Sequence, residues 1–372
     1  MRSYLLLIGI TFITSYLVTP VFRAVGARLM PKIPVRDRDV HEKPTPKLGG
    51  VAIILGLALG IGLASQMSFF DGIFRAPEPI LGVLWALLII LVMGVLDDLL
   101  DLRWWIKLIG QIGVGLVIVK HGIILKALPV GALHFDSPVV QVAVTVVIIV
   151  GTMNAINFVD GLDGLAAGIS AIGAATFFVY SYMLATRVSA EDYANFSALL
   201  CAVLLGATLG FLPHNFRPAS IFMGESGVLA IGMLLAVATL AVTGDVLGED
   251  AYRFRNVPAF MPVLLPLGVM VLPYLDLAMS IIRRTANGKS PFTADRGHIH
   301  HRMLDLGHPP AVAALILYAW AALVASGVIV ISLGNRKVAI PLYVAGFVCV
   351  TLVTWWPILK RRRKRLARSR RV

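Results

Sequence analysis

Long uncharged runs of Val, Leu, Ile, Ala and Gly, each followed by a short polar interruption, recur along almost the whole chain. Runs of this length can cross the ~30 Å hydrocarbon core of a bilayer as helices. They fall near residues 3–22, 48–65, 79–96, 104–119, 138–156, 165–186, 194–212, 226–243, 258–282, 310–332 and 338–357. The pattern predicts an all-α, polytopic membrane protein of about eleven transmembrane helices, an odd number that puts the two termini on opposite sides. The run at 104–119 is short and opens with Trp104, Trp105 and Lys107, an interfacial aromatic anchor with a snorkelling lysine. The first run is longer than the ~7–15 apolar residues of a signal-peptide core and is read as a helix. Residues 1–359 are expected to form a single transmembrane domain, and 360–372 a basic tail.

Composition agrees with the pattern. Of 372 residues, 58% are hydrophobic and 14% charged, and the mean hydropathy is +0.85. A soluble domain is nearer ~45–50% apolar. Cys201 and Cys349 both fall inside apolar runs, so there is no disulfide framework and no CxxC metal motif. If the C-terminus is cytoplasmic, the segments on that side hold 24 of the 33 Lys and Arg residues, and the bias remains 15 to 9 without the tail. The positive-inside rule therefore orients the chain. The net charge of +13 then reflects topology and attraction to anionic headgroups, not nucleic-acid binding.

With that orientation, four polar clusters interrupt the apolar pattern on the cytoplasmic face. Asp97, Asp98 and Asp101 lie in D-D-L-L-D, where 97 and 101 share a helix face and 98 is turned by about 100°. Three carboxylates so close are tolerated most easily where a cation or a proton transfer uses them; a solvated helix end is the alternative. In N-A-I-N-F-V-D-G-L-D-G-L-A-A-G, residues 154–168, Asn157, Asp160 and Asp163 are hard oxygen donors beside glycines that let the backbone approach a ligand. Such donors suit Mg²⁺, which favours few carboxylates together with substrate phosphates; a structural helix cap is the plainer account. Glu225, in F-M-G-E-S-G, could be a ligand or simply a carboxylate favoured at a helix N-terminus. D-R-G-H-I-H-H-R carries His298, His300, His301 and Arg302, a phosphate-binding loop or an exposed basic one. Acids for Mg²⁺ with His and Arg for phosphate oxygens point to phosphoryl transfer.

These four motifs, in this order, resemble the polyprenyl-phosphate N-acetylhexosamine-1-phosphate transferases. The resemblance runs from about His41 to Leu304, and the H-I-H-H-R form is similar to the WecA/TagO-like branch that uses UDP-N-acetylglucosamine. It implies transfer of N-acetylglucosamine 1-phosphate from UDP-N-acetylglucosamine to undecaprenyl phosphate, with release of UMP, in a bacterial inner membrane with the active site cytoplasmic. By the same resemblance, Asp97 and Asp98 match an aspartate pair at the lipid phosphate, and Lys107 a lysine near the phosphates. Asn157 and Glu225 match the Mg²⁺ site, with Mn²⁺ as a substitute ion. Asp160 and Asp163 match positions at the nucleoside, and Asn215 and Phe222 residues that contact and stack on uracil. His298, His300, His301 and Arg302 match the loop that meets the pyrophosphate and sugar. Lys43 or Lys47, in H-E-K-P-T-P-K-L-G-G, is a further candidate for the nucleotide. The expected partners are the UDP-sugar, the polyprenyl phosphate lipid and the membrane, without nucleic acid and with a homodimer left open. The chain departs from the family at Glu225, where Asp is usual, and at Val228, where Ser is customary.

The rival class is a membrane transporter of a nucleotide sugar or ion. Transporters place their sites near the midplane on broken helices, whereas these acids gather at one rim. Only Asp276 lies well inside an apolar run. Seven residues before Arg283 and on the same helical face, it is expected to be structural. An intramembrane aspartyl protease would leave the glycine-flanked acids and the His-Arg loop unexplained.

Overall fold

A computed structural model describes residues 1–29, 45–128, 133–187, 193–246, 270–288, 298–333 and 336–369. In chain order the helices are α1 (Arg2–Leu29), α2 (Gly49–Ala64), α3 (Asp71–Arg75), α4 (Glu78–Leu100), α5 (Trp104–Lys120), α6 (Pro138–Val159), α7 (Leu165–Arg187), α8 (Tyr193–Asn215) and α9 (Gly224–Val246). They continue with α10 (Val271–Ala286), α11 (Ile299–Asp305), α12 (Pro310–Leu333) and α13 (Arg336–Ser369). Among the described residues the exception to the helical pattern is a hairpin of two-residue strands, Ala127–Leu128 and Leu133–His134, between α5 and α6.

Among the described residues, eight helices are long and apolar enough to span a bilayer. A ninth counts if α2 and the segment Ser68–Arg75, bent by 91° at the intervening turn, are one broken span. The expected second span, 48–65, coincides with α2, and the chain folds over directly after it. At 17 residues α5 reaches only about 26 Å, and α10 is described only from Val271, because 258–269 of the expected ninth span lie outside the described residues. The helix of the final span continues through the basic segment to Ser369.

Helix α9 is the centre of the bundle. Its apolar window is 89% buried, against 6% for that of α13, so α9 packs against protein while α13 presents Leu342, Phe347, Leu352 and Trp355 outward. Close packing around α9 depends on small residues. A Cβ on Gly94 of α4 would run into the backbone of Ser226, and one on Gly50 of α2 into Ser226 and Gly227. These approaches draw the ends of α2 and α4 onto the start of α9. The segment before α2 is tied there too: Phe222 N–H donates to Pro46 O (2.8 Å), and Gly49 N–H donates to Phe222 O (3.0 Å). The polar clusters thereby meet at one end of the bundle.

Candidate functional site

Asp97 and Asp98 are consecutive on the last turn of α4, so their side chains diverge. The chain leaves the helix through Asp101, in the left-handed region at φ 53°, and returns at once into α5. That turn brings Lys107 back over Asp97. Lys107 Nζ donates to Asp97 Oδ2 (3.2 Å) and lies 3.8 Å from Glu225 Oε1. The other oxygen of Asp97 accepts Leu102 N–H (2.9 Å), which locks the turn. Asp98 instead faces α9, where both its oxygens accept the N–H of Glu225 (3.2 Å each). The first N–H groups of a helix have no partner within it. Asp98 therefore caps α9, and the side chain of Glu225 is left for another task.

That side chain turns toward α6. Asn157 Nδ2 donates to Glu225 Oε1 (3.0 Å), so one carboxylate oxygen is shared between an amide and the Lys107 ammonium. Gly224 makes the approach possible: its φ is +71°, and a Cβ there would strike Lys47 O and Asp98 Oδ2. Asp160, at the end of α6, completes the acid cluster. Burial first, then the nearby Glu225 and Asp163 carboxylates, push its pKa up to about 7, against the opposing pull of Lys47.

The D-G-L-D-G turn is braced from behind. Asp163 Oδ2 accepts Ala219 N–H (3.1 Å). Asn215 Oδ1 accepts Gly164 N–H (3.1 Å), and its Nδ2 donates to Ile221 O (3.0 Å). Asn215 is 2% exposed and engaged at both ends of its amide, so it holds the wall of the site together. Tyr318 of α12 donates its hydroxyl to Gly164 O, and a Cβ on Gly168 would meet the same ring.

In front of the turn lies α11. The ring of His300 rests on Gly161, where any side chain would collide with it. His298 and His300 stack in parallel (5.6 Å between centroids), and His301 adjoins His300 (4.3 Å). Burial, reinforced by the two neighbouring histidines, lowers the His300 pKa to about 4. At neutral pH His300 is thus an uncharged ring. His298 has a fixed partner, Asp276 of α10, with Nδ1 3.1 Å from Oδ2. The acids and the histidines form one continuous site, joined at Asp160 and Gly161.

A sequence model described as Glycosyl transferase family 4 matches residues 80–243, which contain the acids, the D-G turn and Glu225. Over 364 residues the chain is 37% identical to the decaprenyl-phosphate N-acetylglucosaminephosphotransferase of Mycobacterium tuberculosis (strain H37Rv), covering 96% of this chain and 90% of the relative. The chain belongs to the polyprenyl-phosphate N-acetylhexosamine-1-phosphate transferase family. It is also 34% identical to the probable undecaprenyl-phosphate N-acetylglucosaminyl 1-phosphate transferase of Bacillus subtilis (strain 168), covering 83% of this chain and 79% of that one. A more distant relative is the phospho-N-acetylmuramoyl-pentapeptide-transferase of Halalkalibacterium halodurans, 28% identical, with 81% and 90% covered.

Within this member of the transferase family, Asp97, Asp98, Lys107, Asn157 and Glu225 are linked directly, and Asp160, His298, His300 and His301 adjoin them. Phe222 is half-buried, with its backbone paired to 46–49, and Arg302 is exposed on α11. Lys43 lies outside the described residues, whereas Lys47 is described and acts electrostatically on Asp160. Sequence reasoning missed Asp276 and Tyr318 as parts of the site. Asp276 was expected beside Arg283, but its carboxylate is bonded to His298 and to Ile299 N–H (2.9 Å). The available signal was its position inside an apolar run, with two more polar residues at four-residue steps.

No group of three His, Cys, Asp or Glu side chains among the described residues is arranged to hold a metal ion. The donor chemistry nonetheless fits Mg²⁺. Asp98, Asp160 and Glu225 are hard oxygen donors whose mutual repulsion is only partly offset by Lys47 and Lys107. Mg²⁺ is commonly held by one or two carboxylates, with waters and substrate phosphates filling the other positions.

Proposed function

We propose that the protein transfers N-acetylglucosamine 1-phosphate from UDP-N-acetylglucosamine to a polyprenyl phosphate at the cytoplasmic face of a bacterial plasma membrane, releasing UMP. The observation that carries this reading is the continuous site in which Asp97, Lys107, Glu225 and Asn157 adjoin the D-G turn and the histidine helix. Two anions must be brought together for this reaction, so catalysis rests on alignment and charge neutralisation. An oxygen of the lipid phosphate attacks the β-phosphorus of the UDP-sugar. The bond from that phosphorus to the bridging oxygen breaks, and its electron pair leaves with UMP.

In this reading Asp97 holds the Lys107 ammonium toward the phosphates, and the Asp97–Asp98 pair positions the lipid phosphate. Asn157 and Glu225 would hold Mg²⁺, or Mn²⁺ in its place, which when bound supplies positive charge to the pyrophosphate oxygens. Asp160 and Asp163 shape the nucleoside side, with Asn215 bracing its wall and Phe222 offering an aromatic face to the base. His298, neutral His300, His301 and the bidentate fork of Arg302 meet the sugar and pyrophosphate. A nucleotide-sugar transporter is disfavoured because the polar groups gather at one end of the bundle.

The test is to incubate purified protein with Mg²⁺, undecaprenyl or decaprenyl phosphate and a panel of UDP-sugars, and to identify the lipid by mass and the nucleotide by chromatography. The expected products are the polyprenyl diphosphate-linked N-acetylglucosamine and UMP. Recovery of UDP as the primary product, without phosphatase, would overturn the reading.

A further inference from the structure

Helix α10 wears its amphipathicity inside out. Asp276, Ser280 and Arg284, spaced by four residues and therefore on one face, are buried at 3%, 0% and 5%, whereas Leu275, Met279 and Ile282 are exposed at 49%, 44% and 60%. In a chain that sits in a bilayer, the exposed apolar face is the one suited to lipid, and the polar face looks into the protein. Ionisable groups buried in this way are costly and mark functional sites by default. What the polar face meets is the histidine helix. Asp276 Oδ2 lies 3.1 Å from His298 Nδ1, Asp276 Oδ1 accepts Ile299 N–H (2.9 Å), and Ser280 Oγ lies 3.3 Å from the same His298 nitrogen. Farther along, Arg284 lies over the Phe158 ring (5.1 Å), whose other neighbour is His298 (5.3 Å).

We propose that Asp276 is the positioning residue of the histidine loop, acting through His298. An ionised carboxylate can only accept hydrogen bonds. With one oxygen taken by Ile299 N–H, the other fixes the tautomer of His298 that carries its hydrogen on Nδ1. Nε2 is then the ring nitrogen presented to substrate, as an acceptor when the ring is neutral and a donor when it is charged. The same carboxylate satisfies the first free N–H of α11, so ring orientation and helix placement are set by one group. The catalytic part of this inference rests on the proposed sugar-phosphate transfer; the coupling between Asp276 and His298 does not.

Asp276→Asn separates the two. Its Oδ1 can still accept Ile299 N–H, but its Nδ2 can only donate, so His298 Nδ1 must become the acceptor and the hydrogen must move to Nε2. With ¹⁵N-labelled histidine, and His298 assigned by its loss in His298→Gln, the nitrogen shifts of His298 should exchange between the two ring positions. Turnover should fall about 10- to 100-fold, the usual cost of losing a histidine's outer partner, with the KM for the UDP-sugar within about threefold of the original. In a His298→Gln background, Asp276→Asn should have no further effect, because the two act as one unit. If Asp276→Asn does not accumulate in membranes, Asp276→Glu serves in the same cycle, read by turnover alone because its carboxylate keeps the His298 tautomer. Unchanged His298 shifts, or losses that multiply in the double variant, overturn the inference. Exchanged shifts in a protein with no transferase activity would support the coupling and sink the function instead.

Discussion

Glu225 shows how one side chain is assigned by its neighbours. It is one methylene longer than the Asp usual in the family, and a simple helix cap was a fair alternative from sequence. The structure gives the cap to Asp98, which accepts the Glu225 N–H, and directs the Glu225 carboxylate to Asn157 and Lys107. The extra reach is accommodated by Gly224, whose φ of +71° sets the backbone back against Lys47 O. Glu225→Gln should therefore cut turnover about 100-fold, on the scale of losing a group that acts in the transition state, and raise the Mg²⁺ concentration needed for half-maximal rate. Its thermal unfolding should shift by no more than the ~1 kcal/mol of a helix-end charge. A metal titration that overlays the wild type would remove Glu225 from the site. At this scale the sequence displayed which residues gather at the candidate site, because acids and histidines stand out in an apolar chain. It could not display their pairing, since Asp98 and Glu225 are 127 positions apart and meet through helix packing such as the close approach of Gly94 to Ser226.

Among the elements, the helices were legible from run length, and what escaped were their breaks and facing. The end of the second run at 65 marks the end of α2 but carries no sign of the 91° turn that follows, and the polar face of α10 reads as an ordinary amphipathic stripe until its burial is known. Two elements clamp the D-G turn, and each can be tested. From behind, Tyr318→Phe removes the donor to Gly164 O and should cost about 1 kcal/mol of stability while raising the KM for the UDP-sugar more than it lowers kcat; the reverse split would separate α12 from the nucleotide side. From the front, α11 is held by a neutral ring. The folded-state pKa of His300, about 4, lies below the ~6.5 of an unfolded histidine, so protonation favours the unfolded form. The stability His300 confers is full above about 6.5 and is lost as pH falls toward 4. The hydrogen-exchange protection factors across 299–305 should fall as pH is lowered through that window and should lose this pH dependence in His300→Gln. A profile unchanged by the substitution would show that acid acts elsewhere.

For the whole molecule, the decisive property is which ends share a side. Gly49 starts α2 beside Phe222, α4 ends and α5 begins at the acid cluster, and α6 ends at Asp160, so the site occupies one end of the bundle. His308, just after α11, donates its Nε2–H to Thr354 O (2.8 Å). That contact puts the late part of α13 at the site end, with 15 more helical residues continuing to Ser369. The basic segment therefore leaves on the side where the site lies, as the charge bias across loops predicts. The opposite end holds the turn after α2, where Gln66 is exposed. Cysteines introduced singly as Arg103→Cys, Ser369→Cys and Gln66→Cys, in a Cys349→Ser background that leaves only buried Cys201, give a direct reading of sidedness. A membrane-impermeant maleimide added to inside-out vesicles should label positions 103 and 369 but not 66, and intact spheroplasts should give the converse. Labelling of 103 and 369 from opposite sides would contradict the contact between His308 and α13. Labelling of both from outside the spheroplasts would leave the fold intact but place the site where no cytoplasmic nucleotide could reach it.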